Sequence, residues 1–220
     1  MPPLAEHIIH YTIFSLRQDE SLFLAYLSDD EMQRANQFKF EKDRQAFIAA
    51  RGQLRQYLAN YLQVEPNSLE FSYGEHGKPA LINHDLKFNL SHAGDYALIA
   101  VSRNFTLGVD IECMDRTVEM EGIAEKVFTA NEIQCLDDAK DKAERFFTLW
   151  TRKEALIKAN GKGLFTQLTQ LDVVGDDVID EQGQSWKIMN LPDVENYKLA
   201  LAHKSDSEIT PSIERLIFNF

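Results

Sequence analysis

Apolar positions recur at helical spacing in two long stretches of the chain and alternate with polar ones in several short stretches. "EKDRQAFIAARGQLRQYLANYL" (41–62) carries Phe47, Ala50, Leu54, Tyr57, Leu58 and Tyr61 at intervals that predict a helix with one apolar face. Gly52 is expected to weaken it only locally. "AERFFTLWTRKEALIKANG" (143–161) predicts a second helix, stopped by Gly161. Asp29 and Asp30 open a further mixed helical stretch, and "FTANEIQCL" begins another. Period-two alternation marks strands in "LEFSY" (69–73), "LKFNLS" (86–91) and "TLGVDIEC" (106–113), and "YALIAVS" (96–102) reads as a well-buried strand. After the second helix, "LDVV", "SWKIMN", "YKLALAHK" and "ERLIFNF" read as short strands. Each half therefore combines one long helix with several strands. The expectation is an α/β (α+β) fold of two similar lobes, residues 1–106 and 107–220, with a cleft between them.

Composition narrows the class. The chain has 220 residues, 44% of them hydrophobic, enough for a sizeable core in one large or two small domains. No apolar run approaches the roughly 20 residues of a membrane span, and the start "MPPLAEHIIH" lacks a signal-peptide pattern. Two cysteines, Cys113 and Cys135, make neither a disulfide framework nor a zinc motif, so a cytoplasmic setting is expected. A net charge of -12 argues against a general nucleic-acid binder. An anionic ligand would need locally concentrated Lys and Arg.

Candidate chemistry begins in "TLGVDIEC". Successive strand side chains face opposite ways, so Asp110 and Glu112 share one face while Val109 and Ile111 share the other. On this fragment alone the acids suit an exposed sheet face as well as a metal site. In the second helix Trp150, Glu154 and Lys158 fall at i, i+4 and i+8, in one stripe. Glu154 would complete an all-oxygen set of the kind Mg²⁺ accepts, with Lys158 one turn on as a point charge for phosphates. Lys78 lies in a turn between Gly77 and Pro79 with its ammonium projecting, and Ser91 and His92 stand at a strand terminus. Arg51 either snorkels from its helix or forks a phosphate. Thr129 and Glu132 fit a capping box. His7 and His10 are expected on the surface. Lys140, Lys142, Arg145, Arg152 and Lys153 form a charge run that suits either a solvated face or a docking patch.

Taken in order, "GKP" (77–79), "FNLSH" (88–92), "GVDIE" (108–112), "F(TAN)E" (128–132) and "W(TR)KEALIKANGKGL" (150–164) resemble the Sfp-type 4′-phosphopantetheinyl transferases. The resemblance implies two α/β lobes related by a pseudo-twofold axis, with coenzyme A at their junction. It implies Mg²⁺-dependent transfer of the 4′-phosphopantetheine arm of coenzyme A to a serine of an acyl or peptidyl carrier protein, releasing adenosine 3′,5′-bisphosphate. Asp110, Glu112 and Glu154 would hold the Mg²⁺, and Lys158 would contact the pyrophosphate. Lys78 and His92, with Ser91 alongside, would meet the nucleotide end. Arg51 would join them, although some members place the arginine earlier, where this chain has Ala46.

For the chemistry itself, Glu154, or Glu112 through water, is the candidate base for the serine proton, and Lys158 can protonate the departing oxygen. Two lobes in one chain are expected to build a complete site as a monomer. Two other readings share these residues. One is a non-catalytic carrier-protein or coenzyme A binding module on the same scaffold; the other is a different Mg²⁺-dependent phosphotransfer enzyme, which the acidic chain disfavours. Acidic carrier proteins would have to dock on a local patch of this chain, against long-range repulsion.

Overall fold

The computed structural model describes residues 4–75, 77–115, 117–161, 168–192, 194–205 and 209–217. The chain runs β1 (Ile8–Ser15), α1 (Asp29–Ala35), α2 (Glu41–Leu62), β2 (Phe71–Tyr73), β3 (Pro79–Leu81), β4 (Lys87–Ala93), β5 (Tyr96–Ser102) and β6 (Leu107–Cys113). It continues through α3 (Met120–Val127), α4 (Ala130–Asp137), α5 (Lys142–Asn160), β7 (Asp177–Ile179), β8 (Ser185–Asn190), β9 (Tyr197–Lys204) and β10 (Ser212–Arg215). One four-stranded sheet has the order β10-β1-β5-β4, the other β6-β9-β8-β7, and β2 pairs with β3 alone. The fold is a mixed α/β one, as the periodicity predicts. No helix among the described residues is long and apolar enough to cross a membrane.

The packing has four layers. Ile48, Leu54 and Leu58 of α2 pack on Phe14, Phe88, Ile99 and Val101, one face of the first sheet. The alternate residues Ile9, Tyr11, Leu98 and Ala100 turn the other way and meet Val109, Ile111, Leu199 and Leu201 of the second sheet. The outer face of the second sheet, including Ile188, Ala200 and Ala202, is covered by Phe146, Leu149 and Leu156 of α5. Each fully buried Leu, Ile, Val or Phe among them contributes about 1.5–3 kcal/mol. Gly52 has a packing reason to interrupt α2: a Cβ there would stand 2.3 Å from Cβ of Phe23, which lies across the helix.

Four local expectations change. "LDVV" forms no strand; Val173 instead binds Glu132 through its N–H and Arg152 through its carbonyl, and the nearby strand is β7. The strand foreseen in "ERLIFNF" starts earlier, at Ser212, and residues 218–220 of that run lie outside the described residues. This strand pairs in parallel with β1, so hydrogen bonding carries the C-terminal segment back to the first sheet. His10, expected on the surface, is only 1% exposed. Its Nδ1 lies 2.8 Å from the Tyr61 hydroxyl and Nε2 lies 3.6 Å from Glu214. Burial pulls its pKa down, against the pull of Glu214.

The basic run near α5 also divides. Lys140, Lys142 and Arg145 are exposed, but Arg152 and Lys153 are internal. The Arg152 guanidinium binds the carbonyls of Val173 and Gly175 at 2.7 and 2.6 Å. Lys153, 1% exposed, binds Leu168 and Leu171 carbonyls and pairs with the fully buried Glu132 at 2.8 Å. Glu132 also closes the capping box with Thr129 at the start of α4. Helix α5 thus ties down the segment 168–176 with side chains that the sequence offers as a surface patch.

Candidate active site at the β4–β6 junction

Strands β4 and β6 are edge strands of different sheets, and their edges come together. An edge leaves N–H and C=O groups without a ladder partner. Here β4 supplies side chains instead: Asn89 Oδ1 accepts from the Val109 N–H at 2.8 Å, and the Ser91 hydroxyl donates to Asp110 Oδ1 at 2.7 Å. Asn89 and Ser91 share the face of β4 opposite Phe88 and Leu90. Sequence reasoning passed over Asn89, although its place in the alternation of "FNLSH" was the available signal.

The other wall is α5. Gly108 lets the helix lie against β6: a Cβ there would be 2.2 Å from the Ala159 nitrogen and 2.3 Å from the Ala155 oxygen. That approach brings the stripe Trp150, Glu154 and Lys158 opposite Asp110 and Glu112. Lys158 Nζ donates to Asp110 Oδ1 at 2.6 Å and to the Ser91 hydroxyl at 2.8 Å, and Trp150 Nε1 donates to Glu112 Oε1 at 2.8 Å. All five, together with Ser91 and His92, line one open pocket of about 570 Å³.

Electrostatics in the pocket follow from burial. Asp110 is 3% exposed, and burial pushes its carboxyl pKa up while Lys158 and Ser91 pull it down. Its second oxygen, Oδ2, is buried without a hydrogen-bond partner among the described residues. His92 is exposed at the rim; the protein around it and then the Lys158 charge lower its pKa, so it is neutral near pH 7. A recess of this kind offers acids, one ammonium and one imidazole to a ligand that carries both phosphates and a cation.

The comparisons agree in placing this chain. Residues 106–206 match the 4′-phosphopantetheinyl transferase superfamily model, and residues 15–104 match that of the 4′-phosphopantetheinyl transferase N-terminal region. The 4′-phosphopantetheinyl transferase HetI of Nostoc sp. is 34% identical over 206 residues, spanning 88% of this chain and 86% of that protein. The chain belongs to the 4′-phosphopantetheinyl transferase superfamily. The 4′-phosphopantetheinyl transferase Sfp of Bacillus subtilis is 29% identical over 161 residues, 71% of this chain and 70% of that one. The crystal structure of holo-[acyl-carrier-protein] synthase from Neisseria meningitidis is 20% identical, covering 46% of this chain and 98% of that one, at a TM-score of 0.39. The chain is thus a phosphopantetheinyl transferase of the Sfp type.

Two residues that the transferase resemblance points to stand apart from the acid pocket. Lys78 does not project from its turn. Its Nζ turns inward onto the C-terminal end of α5, donating to the carbonyls of Lys158 and, at 3.2 Å, of Leu107. A cation there complements the helix dipole, while burial pulls its pKa down to about 8. Arg51 is buried, its Nε donating to Glu31 Oε1 at 2.6 Å and its guanidinium lying 4.9 Å from the Phe71 ring centre. It also donates to the Tyr73 hydroxyl. Beyond Gly161, which ends α5 in a left-handed conformation, the "KGL" of the last motif lies outside the described residues.

Proposed function

We propose that this transferase works in the β4–β6 pocket, moving the 4′-phosphopantetheine arm from coenzyme A to a serine hydroxyl of an apo carrier protein. Adenosine 3′,5′-bisphosphate leaves, and Mg²⁺ held by Asp110, Glu112 and Glu154 assists. The observation that carries this reading is the meeting of both α5 and β6 chemistries, with Lys158 Nζ 2.6 Å from Asp110 Oδ1. Among the described residues no three His, Cys, Asp or Glu side chains form a metal cage by themselves. Mg²⁺ does not need a preformed cage, since water and substrate phosphates fill much of its octahedron and carboxylates can close on it as they bind. The orphaned, buried Asp110 Oδ2 fits such an ion. When bound, Mg²⁺ would neutralise the pyrophosphate and orient it for in-line attack.

The chain's own side chains do the rest. Lys158, whose side chain is 31% exposed, reaches the pyrophosphate from α5 and gives a proton to the departing oxygen. Glu154, one turn before it and half-buried, has a second carboxylate oxygen with which to take the proton of the attacking serine. Ser91 holds Asp110 and Lys158 in register. His92, neutral at the rim, faces the nucleotide end, and Lys78 would have to turn out from the α5 carbonyls to join it. Arg51 is assigned to the 3′-phosphate of that nucleotide, which it would bind alongside the hydrogen bonds it already makes to Glu31 and Tyr73.

Residues 1–106 and 107–220 are assigned as the two lobes, related by a pseudo-twofold axis, with β10 crossing back to the first. The monomer assignment rests on the β4 and β6 walls of the pocket, one from each lobe, meeting within a single chain. The unpaired Cys113 and Cys135 support a cytoplasmic setting. With coenzyme A, Mg²⁺ and an apo carrier protein of fatty-acid, polyketide or peptide type, intact mass spectrometry should show the carrier gaining the arm. No gain on any of the three refutes the proposal.

A further inference from the structure

Trp150 is more than a wall of the pocket. It sits on α5 with its ring nearly parallel to that of Phe146, 7° between planes and 6.3 Å between centres. Phe146 is fully buried, so the indole packs against the core beneath α5. An indole has one N–H donor and no acceptor. That single donor is aimed across the junction at Glu112 Oε1, 2.8 Å away.

The direction of the carboxylate matters more for Glu112 than for Asp110. Asp110 is short, and Ser91 and Lys158 hold it from two elements. A glutamate has one more rotatable bond, and its ordering costs more conformational entropy. Carboxylates that bind metals are themselves commonly hydrogen-bonded by neighbouring groups, which fix the direction of the remaining oxygen.

We infer that Trp150 is a positioning residue for the metal: its N–H holds one oxygen of Glu112 and so orients the carboxylate toward Mg²⁺. The inference rests on the assignment of Mg²⁺ to Asp110, Glu112 and Glu154 proposed above. It goes beyond that assignment by giving Glu112 a fixed orientation and naming its source. A purely packing role for Trp150 makes a different prediction, because Trp150→Phe keeps an aromatic ring against Phe146 while removing the N–H together with the five-membered ring that carries it.

The test uses Mn²⁺ alone as the probe, with free ion counted by electron paramagnetic resonance and no coenzyme A present. Trp150→Phe should bind Mn²⁺ about 10-fold more weakly than wild type, with its melting temperature little changed. In transfer assays the half-saturating Mg²⁺ should rise by a similar factor while kcat at saturating Mg²⁺ stays within about twofold. In a Glu112→Gln background the Phe substitution should add nothing to the loss of Mn²⁺ affinity: the amide oxygen can still accept from the indole, but the anionic ligand that this bond orients is gone. Unchanged Mn²⁺ affinity in Trp150→Phe, or a full second loss on top of Glu112→Gln, overturns the inference. The wild-type protein provides an independent reading through the indole N–H resonances of its two tryptophans, Trp150 and Trp186. Mg²⁺ should shift the Trp150 resonance; if it does not while the ion binds, the inference fails whatever the variants do. A wild type that holds no Mn²⁺ and transfers the arm without a divalent ion brings down the metal assignment as well. Binding by wild type with an indifferent Trp150→Phe brings down the positioning role alone.

Discussion

Gly108→Ala tests how the site is assembled. The added Cβ would lie 2.2 Å from the Ala159 nitrogen, 2.3 Å from the Ala155 oxygen and 2.7 Å from the Lys158 carbonyl carbon. All three are backbone atoms, so no rotamer change relieves the contact. Ordinary van der Waals contact begins near 3.4 Å, so α5 must withdraw from β6 by about 1 Å. Overpacking of this kind costs about 1–3 kcal/mol, a sizeable part of the roughly 5–15 kcal/mol that holds a domain together. For a chain of this size that corresponds to a fall in melting temperature of very roughly 2–12 °C. Withdrawal also moves Glu154 and Lys158 away from Asp110 and Glu112, and a misplacement of about 1 Å can cost about 100-fold in rate. Melting would be followed by circular dichroism and transfer by intact mass of the carrier, at a temperature where the variant is folded. Gly175→Ala is the control, since a Cβ there meets nothing within 4 Å and its φ is not positive. If Gly108→Ala melts and turns over like Gly175→Ala, the close helix–strand approach does not set the site, and the reasoning fails.

Three further outcomes follow from the same geometry. Glu154→Gln should abolish transfer while leaving the melting temperature near wild type, because the side chain lies in the open pocket; near-normal turnover would remove Glu154 from the mechanism. Lys153→Met strands the Glu132 carboxylate, which is 0% exposed, and should cost about 3–5 kcal/mol. Denaturant midpoints should show that loss, and Lys153→Met/Glu132→Gln should recover part of it. Acid should weaken the fold through His10 and His203, whose pKa values burial holds below 6.5. A base depressed in the folded state binds its proton more readily when unfolded, so the stability it allows is fully present above pH 6.5 and is lost as pH falls below it. Urea midpoints between about pH 7.5 and 5.5 should fall, and His203→Phe should flatten the decline.

Much of this arrangement was already present in the one-dimensional pattern. Alternation in "TLGVDIEC" assigns Asp110 and Glu112 to one face, because a strand repeats every two residues whatever surrounds it. Helical period alone aligns Trp150, Glu154 and Lys158. Five short motifs in order then suffice to point to a phosphopantetheinyl transferase. These are local regularities, and local geometry enforces them.

What lay beyond reach depends on which surfaces meet. The charges of Arg152 and Lys153 look solvated until the 168–176 segment folds over them. His10 looks exposed until Tyr61 packs against it. Lys78 looks free until the end of α5 arrives with unpaired carbonyls, and Asn89 looks incidental until the edge of β6 lies beside it. Residue order is enough to say which side chains share a strand face or a helix stripe, since backbone geometry sets those periods. Which partners satisfy each buried charge and edge N–H follows from the folded arrangement, because burial makes those groups costly and the nearest available atoms come from distant segments.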